Sequence, residues 1–146
     1  MCGRLLLLLT ALTVTTALPG CWENSRPAGP PLAQAYPVHG RITFADQTPL
    51  RGGVVYFTPT EVNEDGLIRY EAASLVDAQG RYKLGFNGDH SGAPAGDCRV
   101  SIQPRDYQEL PKSNSRQIPV RYRDSLKTPL KVTVKEGENT LNFVLK

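Results

Sequence analysis

Histidine and cysteine are the side chains in this 146-residue sequence best suited to binding a metal or attacking a substrate. Two histidines occur, His39 and His90, and neither has a second histidine or a cysteine at the spacing that zinc sites use. Histidines without such neighbours are usually solvated or hydrogen-bonded locally. The motifs of serine hydrolases, phosphate-binding loops and metalloproteases are also missing from the sequence. We therefore predict no metal site, no cofactor and no catalytic residue.

Two acidic segments, 63–66 and 87–89, offer oxygen atoms that calcium could use. Neither segment follows the twelve-residue spacing of a calcium-binding loop. Asparagine, aspartate and glycine gather in turns because their backbones tolerate the reversal of the chain. Both segments are therefore predicted to be ordinary turns.

The N-terminal segment has the order of an export signal. Arg4 is the only charged residue before Glu23, and residues 5–14 are almost entirely apolar. A short positive start followed by an apolar run is typical of a signal peptide. A membrane-spanning helix needs about 20 apolar residues, so the run is too short for one.

The end of this segment, Leu18-Pro19-Gly20-Cys21, resembles the lipobox of bacterial lipoproteins, although Pro19 stands where that motif usually has Ala, Ser or Gly. The resemblance implies a signal peptide over residues 1–20, a diacylglycerol on the Cys21 thiol and cleavage just before it. The alternative is an ordinary secreted protein in which Cys21 is a stray thiol.

The three cysteines leave no pair for an intramolecular disulfide if this resemblance holds. Cys2 departs with the signal peptide, Cys21 is acylated, and Cys98 remains alone. Cys98 alternates with Val100 and Ile102 on an apolar strand face, and no basic residue shares that face. We therefore predict that Cys98 is a buried and unreactive thiol.

Residues 21–36 are polar and rich in proline, which indicates a tether rather than a packed element. Such a tether could hold a domain up to about 45 Å from a lipid surface. The predicted folded domain covers residues 37–146.

Apolar and polar residues alternate with a period of two in most of this domain, which is typical of half-buried strands. Turn residues separate the alternating segments. The segments are 38–44, 55–57, 70–76, 82–86, 98–102, 118–122, 130–134 and 141–145. Because no segment with helical period is available to cover the apolar faces, the partner of each sheet must be another sheet. The prediction is an all-β fold, a single antiparallel β-sandwich of about seven to eight strands.

Several short motifs resemble the carboxypeptidase regulatory-like domain, a transthyretin-like β-sandwich. They are Val38-x-Gly40-x-Ile42, Gly52-Gly53-Val54-Val55-x-Phe57-x-Pro59 and Asp77-x-x-Gly80-x-Tyr82. Later motifs, including Gly96-x-Cys98-x-Val100 and Thr128-Pro129-Leu130-x-Val132-x-Val134, resemble small lipoproteins of this type from planctomycete bacteria. Cys98 stands where that group has an aromatic residue. The resemblance implies the fold and the location in the cell envelope, but it implies no ligand. The alternative fold is another immunoglobulin-like sandwich.

A transthyretin-like hydrolase is a third hypothesis for the function. That enzyme uses histidine, arginine and a C-terminal Tyr-Arg-Gly-Ser signature. The segment Tyr122-Arg123-Asp124-Ser125 is only superficially similar to the signature, and it lies too early in the chain. Tyr122 is therefore predicted to be a core or corner aromatic residue.

The longest stretch without alternation, 103–117, is the predicted binding loop, because long sandwich connections are often functional. It carries Arg105, Tyr107, Lys112 and Arg116, which would suit an anionic envelope polymer or an acidic protein patch. The formal net charge of +3 is too small to favour nucleic acid as a partner.

The leading hypothesis is therefore a non-catalytic, lipid-anchored protein of the cell envelope, with a β-sandwich that is an interaction or structural module. The alternative is a carbohydrate-binding or transport accessory lipoprotein. We expect the anchored domain to face the periplasm or the cell surface. Trp22, rather than aspartate, follows Cys21, which favours the outer membrane over the inner membrane.

Overall fold

The computed structural model describes residues 32–61, 65–67, 69–85, 92–105 and 113–146. The predicted signal peptide, Cys21 and most of the predicted tether lie outside these residues, as does His90. None of the helices in the described ranges is long and apolar enough to cross a membrane.

Ten strands lie in the described residues. They are β1 Ala35–Tyr36, β2 Val38–Phe44, β3 Val54–Pro59, β4 Ala72–Leu75, β5 Arg81–Lys83, β6 Ala93–Pro94, β7 Gly96–Gln103, β8 Lys131–Val134, β9 Asn139–Thr140 and β10 Phe143–Leu145. Two single-turn 3-10 helices, Ser115–Gln117 and Val120–Tyr122, lie between β7 and β8. The predicted all-β class is confirmed.

The longer strands form two four-stranded sheets. Sheet one has the order β4-β3-β7-β8 and is antiparallel throughout. Sheet two has the order β10-β2-β5, with β9 also beside β2. One feature departs from an all-antiparallel sandwich, because β9 and β10 run parallel to β2. The chain reaches them by crossing over from β8 in sheet one, and such a crossover permits parallel pairing.

An aromatic cluster joins the two sheets at the centre of the core. Phe57 of sheet one lies 6.0 Å from Tyr82 and 6.1 Å from Phe143 of sheet two, measured between ring centroids. These distances lie in the range where aromatic pairs attract one another. The buried hydrophobic residues of the described ranges all lie between Ala33 and Leu145.

Packing begins before Pro37, where the sequence places the end of the tether. Ala33 is buried, and Ala35–Tyr36 pairs with Ala93–Pro94 as a two-stranded ribbon. The two segments lie so close together that a Cβ atom on Gly92, just before β6, would lie 1.9 Å from the carbonyl oxygen of Tyr36. The last residues of the predicted tether therefore belong to the folded domain.

The strand predicted over 118–122 is wrong. The segment forms 3-10 turns instead, in which the Tyr122 amide donates to the Pro119 carbonyl over 3.0 Å. Proline has no amide hydrogen to give to a sheet, and Val120 is 75% exposed. Ile118 and Tyr122 are nevertheless both buried; Ile118 directly follows the first 3-10 turn, and Tyr122 ends the second.

Candidate functional site

The predicted binding loop is described in part. Arg105 lies two residues after the end of β7 and is half-buried, whereas Arg116 is exposed in the first 3-10 turn. Tyr107 and Lys112 lie outside the described residues. The structure therefore places two of the four predicted residues on different elements, and the binding role of the loop stays a prediction.

The end of this loop is tied to the turn that precedes β3. The Asn114 side-chain oxygen accepts the Arg51 amide over 2.7 Å, and its nitrogen donates to the Pro49 carbonyl over 3.1 Å. The Ser113 hydroxyl donates to the Arg51 carbonyl over 2.8 Å. These bonds join residues more than 60 positions apart in sequence, so alternation alone could not reveal them.

Arg105 lines a groove of about 410 Å³ beside β4. The groove is mostly apolar, and among the described residues that line it Glu71 and Arg105 are charged. Its other lining residues are Val54, Tyr70, Ala72, Ala73, Ser74, Leu75, Gly85 and Gly92. An apolar lining of this kind suits an apolar group better than a row of negative charges.

A second surface brings together basic side chains that are distant in sequence. Strand β2 pairs with β5 so that His39 lies opposite Lys83 and Arg41 lies opposite Arg81. We call these four residues the basic face; they lie on the outer side of sheet two. Arg41, Arg81 and Lys83 are exposed, and the His39 side chain is 40% exposed.

The hydrogen-bond pattern sets the spacing of the basic face. The Leu84 amide donates to the Val38 carbonyl and the Ile42 amide to the Gly80 carbonyl, each over 2.8 Å. The two basic pairs lie between these bonds, at the non-hydrogen-bonded positions where opposite Cβ atoms are only about 4.5–5.5 Å apart. Like charges placed directly opposite each other repel. The sheet therefore concentrates positive charge at its closest cross-strand sites.

Neighbouring groups orient the two guanidinium groups. The Arg41 Nε donates to the Gln79 carbonyl over 3.0 Å. The Arg81 Nε donates to the Asp77 carboxylate over 3.2 Å, and its Nη2 donates to the Gln79 side chain over 3.4 Å. Within the described ranges, neither Arg41 nor Lys83 forms a salt bridge. Their charges are therefore not compensated by a nearby carboxylate there.

His39 has a local hydrogen-bond partner, as the sequence predicts. Its Nε2 lies 3.0 Å from the Thr140 hydroxyl, and its Nδ1 lies 3.7 Å from a Glu138 oxygen. The order carboxylate, imidazole, hydroxyl is that of a hydrolase triad. The distance of 3.7 Å is too long for the hydrogen bond that orients the imidazole in such a triad.

The residues of the hydrolase hypothesis make structural contacts. Tyr122 is buried, and its hydroxyl accepts the Lys146 amide over 3.0 Å. Arg123 donates to the Ile118 carbonyl over 2.6 Å and to the Arg116 carbonyl over 3.0 Å. The prediction that Tyr122 is a core aromatic residue is confirmed, and Arg123 holds the 3-10 turns together.

Cys98 is 2% exposed, which confirms the predicted burial. Burial raises the pKa of its thiol from 9.0 to about 11, and the negative charges of Asp97 and Glu61 act in the same direction. Arg69 opposes this shift more weakly. It is a basic neighbour that the strand pattern did not reveal, because it lies on a different segment.

The acidic segment around Asp65 is committed to local bonds. One Asp65 oxygen accepts the Leu67 amide over 3.0 Å, and the other lies 3.0 Å from Arg69 Nη2. Among the residues for which coordinates are described, no group of three or more His, Cys, Asp or Glu side chains could hold a metal ion.

The sequence matches no protein-family model and no curated protein. Among solved structures, the chain is similar to the major pilin subunit of Bacillus cereus, with 18% identity over 77% of this chain and a TM-score of 0.44. It spans only 30% of that pilin. The major plantain pollen allergen matches with 15% identity over 76% of this chain and 94% of the allergen, and the TM-score is 0.34.

Proposed function

We propose that this protein is a non-catalytic lipoprotein of the cell envelope. Lipid on Cys21 attaches it to the membrane, and its β-sandwich is an interaction module. The lipobox-like end of the N-terminal segment supports the anchor, and the motifs that resemble small carboxypeptidase regulatory-like lipoproteins support the module. The residue after Cys21 favours the outer membrane, with the domain exposed to the periplasm or the cell surface.

The burial of Cys98 is the observation that carries this proposal. A disulfide with Cys21 would require either Cys21 to enter the core or Cys98 to leave it, because Cys98 is 2% exposed. Cys21 would then be an unpaired thiol in an oxidising compartment, where such thiols are a liability. Acylation of Cys21 removes that liability and gives the residue a role.

The polar groups support a binding role rather than catalysis. The side chains of Tyr122 and Arg123 form hydrogen bonds with backbone atoms. The imidazole of His39 lies too far from the Glu138 carboxylate for the hydrogen bond of a catalytic triad. The aromatic side chains of the described ranges are buried or half-buried, which gives little surface for stacking on neutral sugars. An envelope polymer or protein is the proposed partner, and the loop with Arg105, Tyr107, Lys112 and Arg116 is one proposed contact.

The anchor is tested by feeding a fatty-acid analogue to bacteria that express the full chain. We expect labelling of the wild type and of Cys98→Ala, which removes the other thiol of the mature chain. Cys21→Ser should lose the label and should not partition into detergent. Labelling of Cys21→Ser at the wild-type level would refute the lipoprotein assignment. Because the lipobox is local, this result does not depend on folding of the Cys98 variant.

A further inference from the structure

We propose that the basic face binds an acidic polysaccharide, with sugar carboxylates on His39, Arg41, Arg81 and Lys83. This inference rests on the proposed function, because it names the class of envelope polymer that the module would meet. It moves the main contact from the predicted loop to the outer side of sheet two.

The density of positive charge is the first argument. The two basic pairs occupy adjacent non-hydrogen-bonded sites, and His39 and Arg41 are two residues apart on β2. Successive residues on one face of a strand are about 7 Å apart. The four basic side chains thus form a rectangle of roughly 5 by 7 Å, in which Arg41, Arg81 and Lys83 carry the positive charge. An anion placed over this rectangle relieves the repulsion of Arg41 with Arg81 opposite it and with Lys83 on the diagonal.

Preorganisation of the guanidinium groups is the second argument. The Nε of Arg41 donates to the Gln79 carbonyl, and the Nε of Arg81 donates to the Asp77 carboxylate. A side chain that is already oriented loses less entropy when it binds a ligand. Arginine also presents a planar pair of donors that matches the two oxygens of a carboxylate. The face is therefore suited to flat, singly charged oxyanions.

The rim of the basic face selects between polymers. Asp77 lies beside Arg81, and Glu138, with a side chain that is 75% exposed, lies beside His39. Polyphosphate and an anionic lipid surface offer mainly negative acceptors, which these carboxylates would repel. A polysaccharide also carries hydroxyl groups, and hydroxyls can donate hydrogen bonds to carboxylates. The combination of a cationic centre and an acidic rim favours an acidic polysaccharide.

The test uses the mature chain, residues 21–146 with Cys21→Ser, and polygalacturonate as the probe. Neutral dextran, polyphosphate and phosphatidylglycerol–phosphatidylcholine vesicles are the other arms. The double variant Arg41→Gln/Lys83→Gln removes two charges from the basic face. The matched control Lys127→Gln/Lys131→Gln removes two exposed charges from β8 of sheet one and the turn before it. Circular dichroism establishes that each variant is folded, and Lys83→Gln alone serves if the double variant is not.

We expect the basic-face variant to bind polygalacturonate about tenfold more weakly at low salt, whereas the sheet-one control should change by less than about twofold. High salt should weaken wild-type binding, because exposed ion pairs are screened. Equal losses in both variants, stronger binding of polyphosphate or vesicles, or no binding by the wild type would overturn the proposal. Since Cys21 is replaced in every arm, these outcomes leave the lipidation test untouched.

Discussion

The basic face and the loop region at 103–117 obtain their charges in different ways. On the basic face, strand pairing fixes Arg41 opposite Arg81 and places both beside the His39–Lys83 pair. In the loop region, the two described cations lie on separate elements, one after β7 and one in a 3-10 turn. The difference shows that pairing between strands concentrates charge more effectively than closeness in sequence.

Counts of charged residues along the chain would place the more basic surface in the C-terminal half, away from the basic face. Residues 21–96 carry six basic and eight acidic side chains, whereas residues 97–146 carry ten and six. The basic face nevertheless lies in the acidic part of the chain, and it uses three of those six basic residues, Arg41, Arg81 and Lys83. A net charge over a segment therefore says little about a surface that strand register assembles.

The largest expected effect comes from disturbing the strand that carries half of the basic face. Gly40 lies between His39 and Arg41, and a Cβ atom there would lie 1.8 Å from the Leu141 carbonyl oxygen and 3.0 Å from the Tyr82 hydroxyl. That hydroxyl donates to the Leu141 carbonyl over 2.6 Å. We expect Gly40→Ala to lower the free energy of unfolding by about 3 kcal/mol, measured by urea denaturation.

Gly66→Ala is the matched control for this substitution. Gly66 has a positive φ of 72°, but nothing lies within 4 Å of the position of its missing Cβ. We expect a loss of about 1 kcal/mol from the backbone conformation alone. Equal losses in the two variants would show that close packing behind the basic face is not what Gly40 provides.

Local alternation predicted much of the fold, because burial of one sheet face imposes a period of two. Strands β2, β3 and β7 lie where the pattern places them. The pattern failed at 118–122, where Val120–Tyr122 is a 3-10 turn and Val120 is exposed. Pro119 was the signal that could have favoured the turn, since it cannot donate to a neighbouring strand.

The basic face could not be predicted in the same way. The sequence shows Arg41, Arg81 and Lys83 on the polar sides of alternating segments. Their meeting depends on the register between β2 and β5, which are separated by both strands of another hairpin. A shift of one residue would turn these side chains into the core. The burial of Val38 and Tyr82 excludes that shift, but only the three-dimensional pairing reveals it.

A smaller effect is expected at Cys98 on β7, the strand that leads into the loop region. The folded protein keeps this thiol protonated up to about pH 11, whereas the ordinary pKa is 9.0. Above about pH 9 the unfolded chain releases the proton and the folded chain does not, so stability falls as the pH rises. We expect the wild type to lose stability more steeply than Cys98→Ala between pH 9 and 11, measured by urea denaturation.

Tyr82 does not confuse this comparison, although burial also raises its pKa, because both proteins contain it. Parallel slopes for the wild type and Cys98→Ala would mean that the thiol is open to solvent. In that case β7, which precedes the loop region, would be less tightly packed than β2 and β5, which carry the basic face. If Cys98 is buried as described, we also expect a thiol reagent to label it slowly in the native protein.

The smallest expected effect separates binding from folding on the basic face. Lys83 lies opposite His39 and diagonal to Arg41, so Lys83→Glu replaces repulsion across the strands with attraction. We expect the free energy of unfolding at low salt to rise by about 0.5 kcal/mol, while polygalacturonate binding is lost. Lys131→Glu, at an exposed position of β8 in sheet one, should leave binding almost unchanged. A Lys83→Glu variant that is less stable than the wild type, or that still binds polygalacturonate, would contradict this account. A gain in stability together with a loss of binding means that Lys83 contributes to ligand binding at a cost to the stability of the fold.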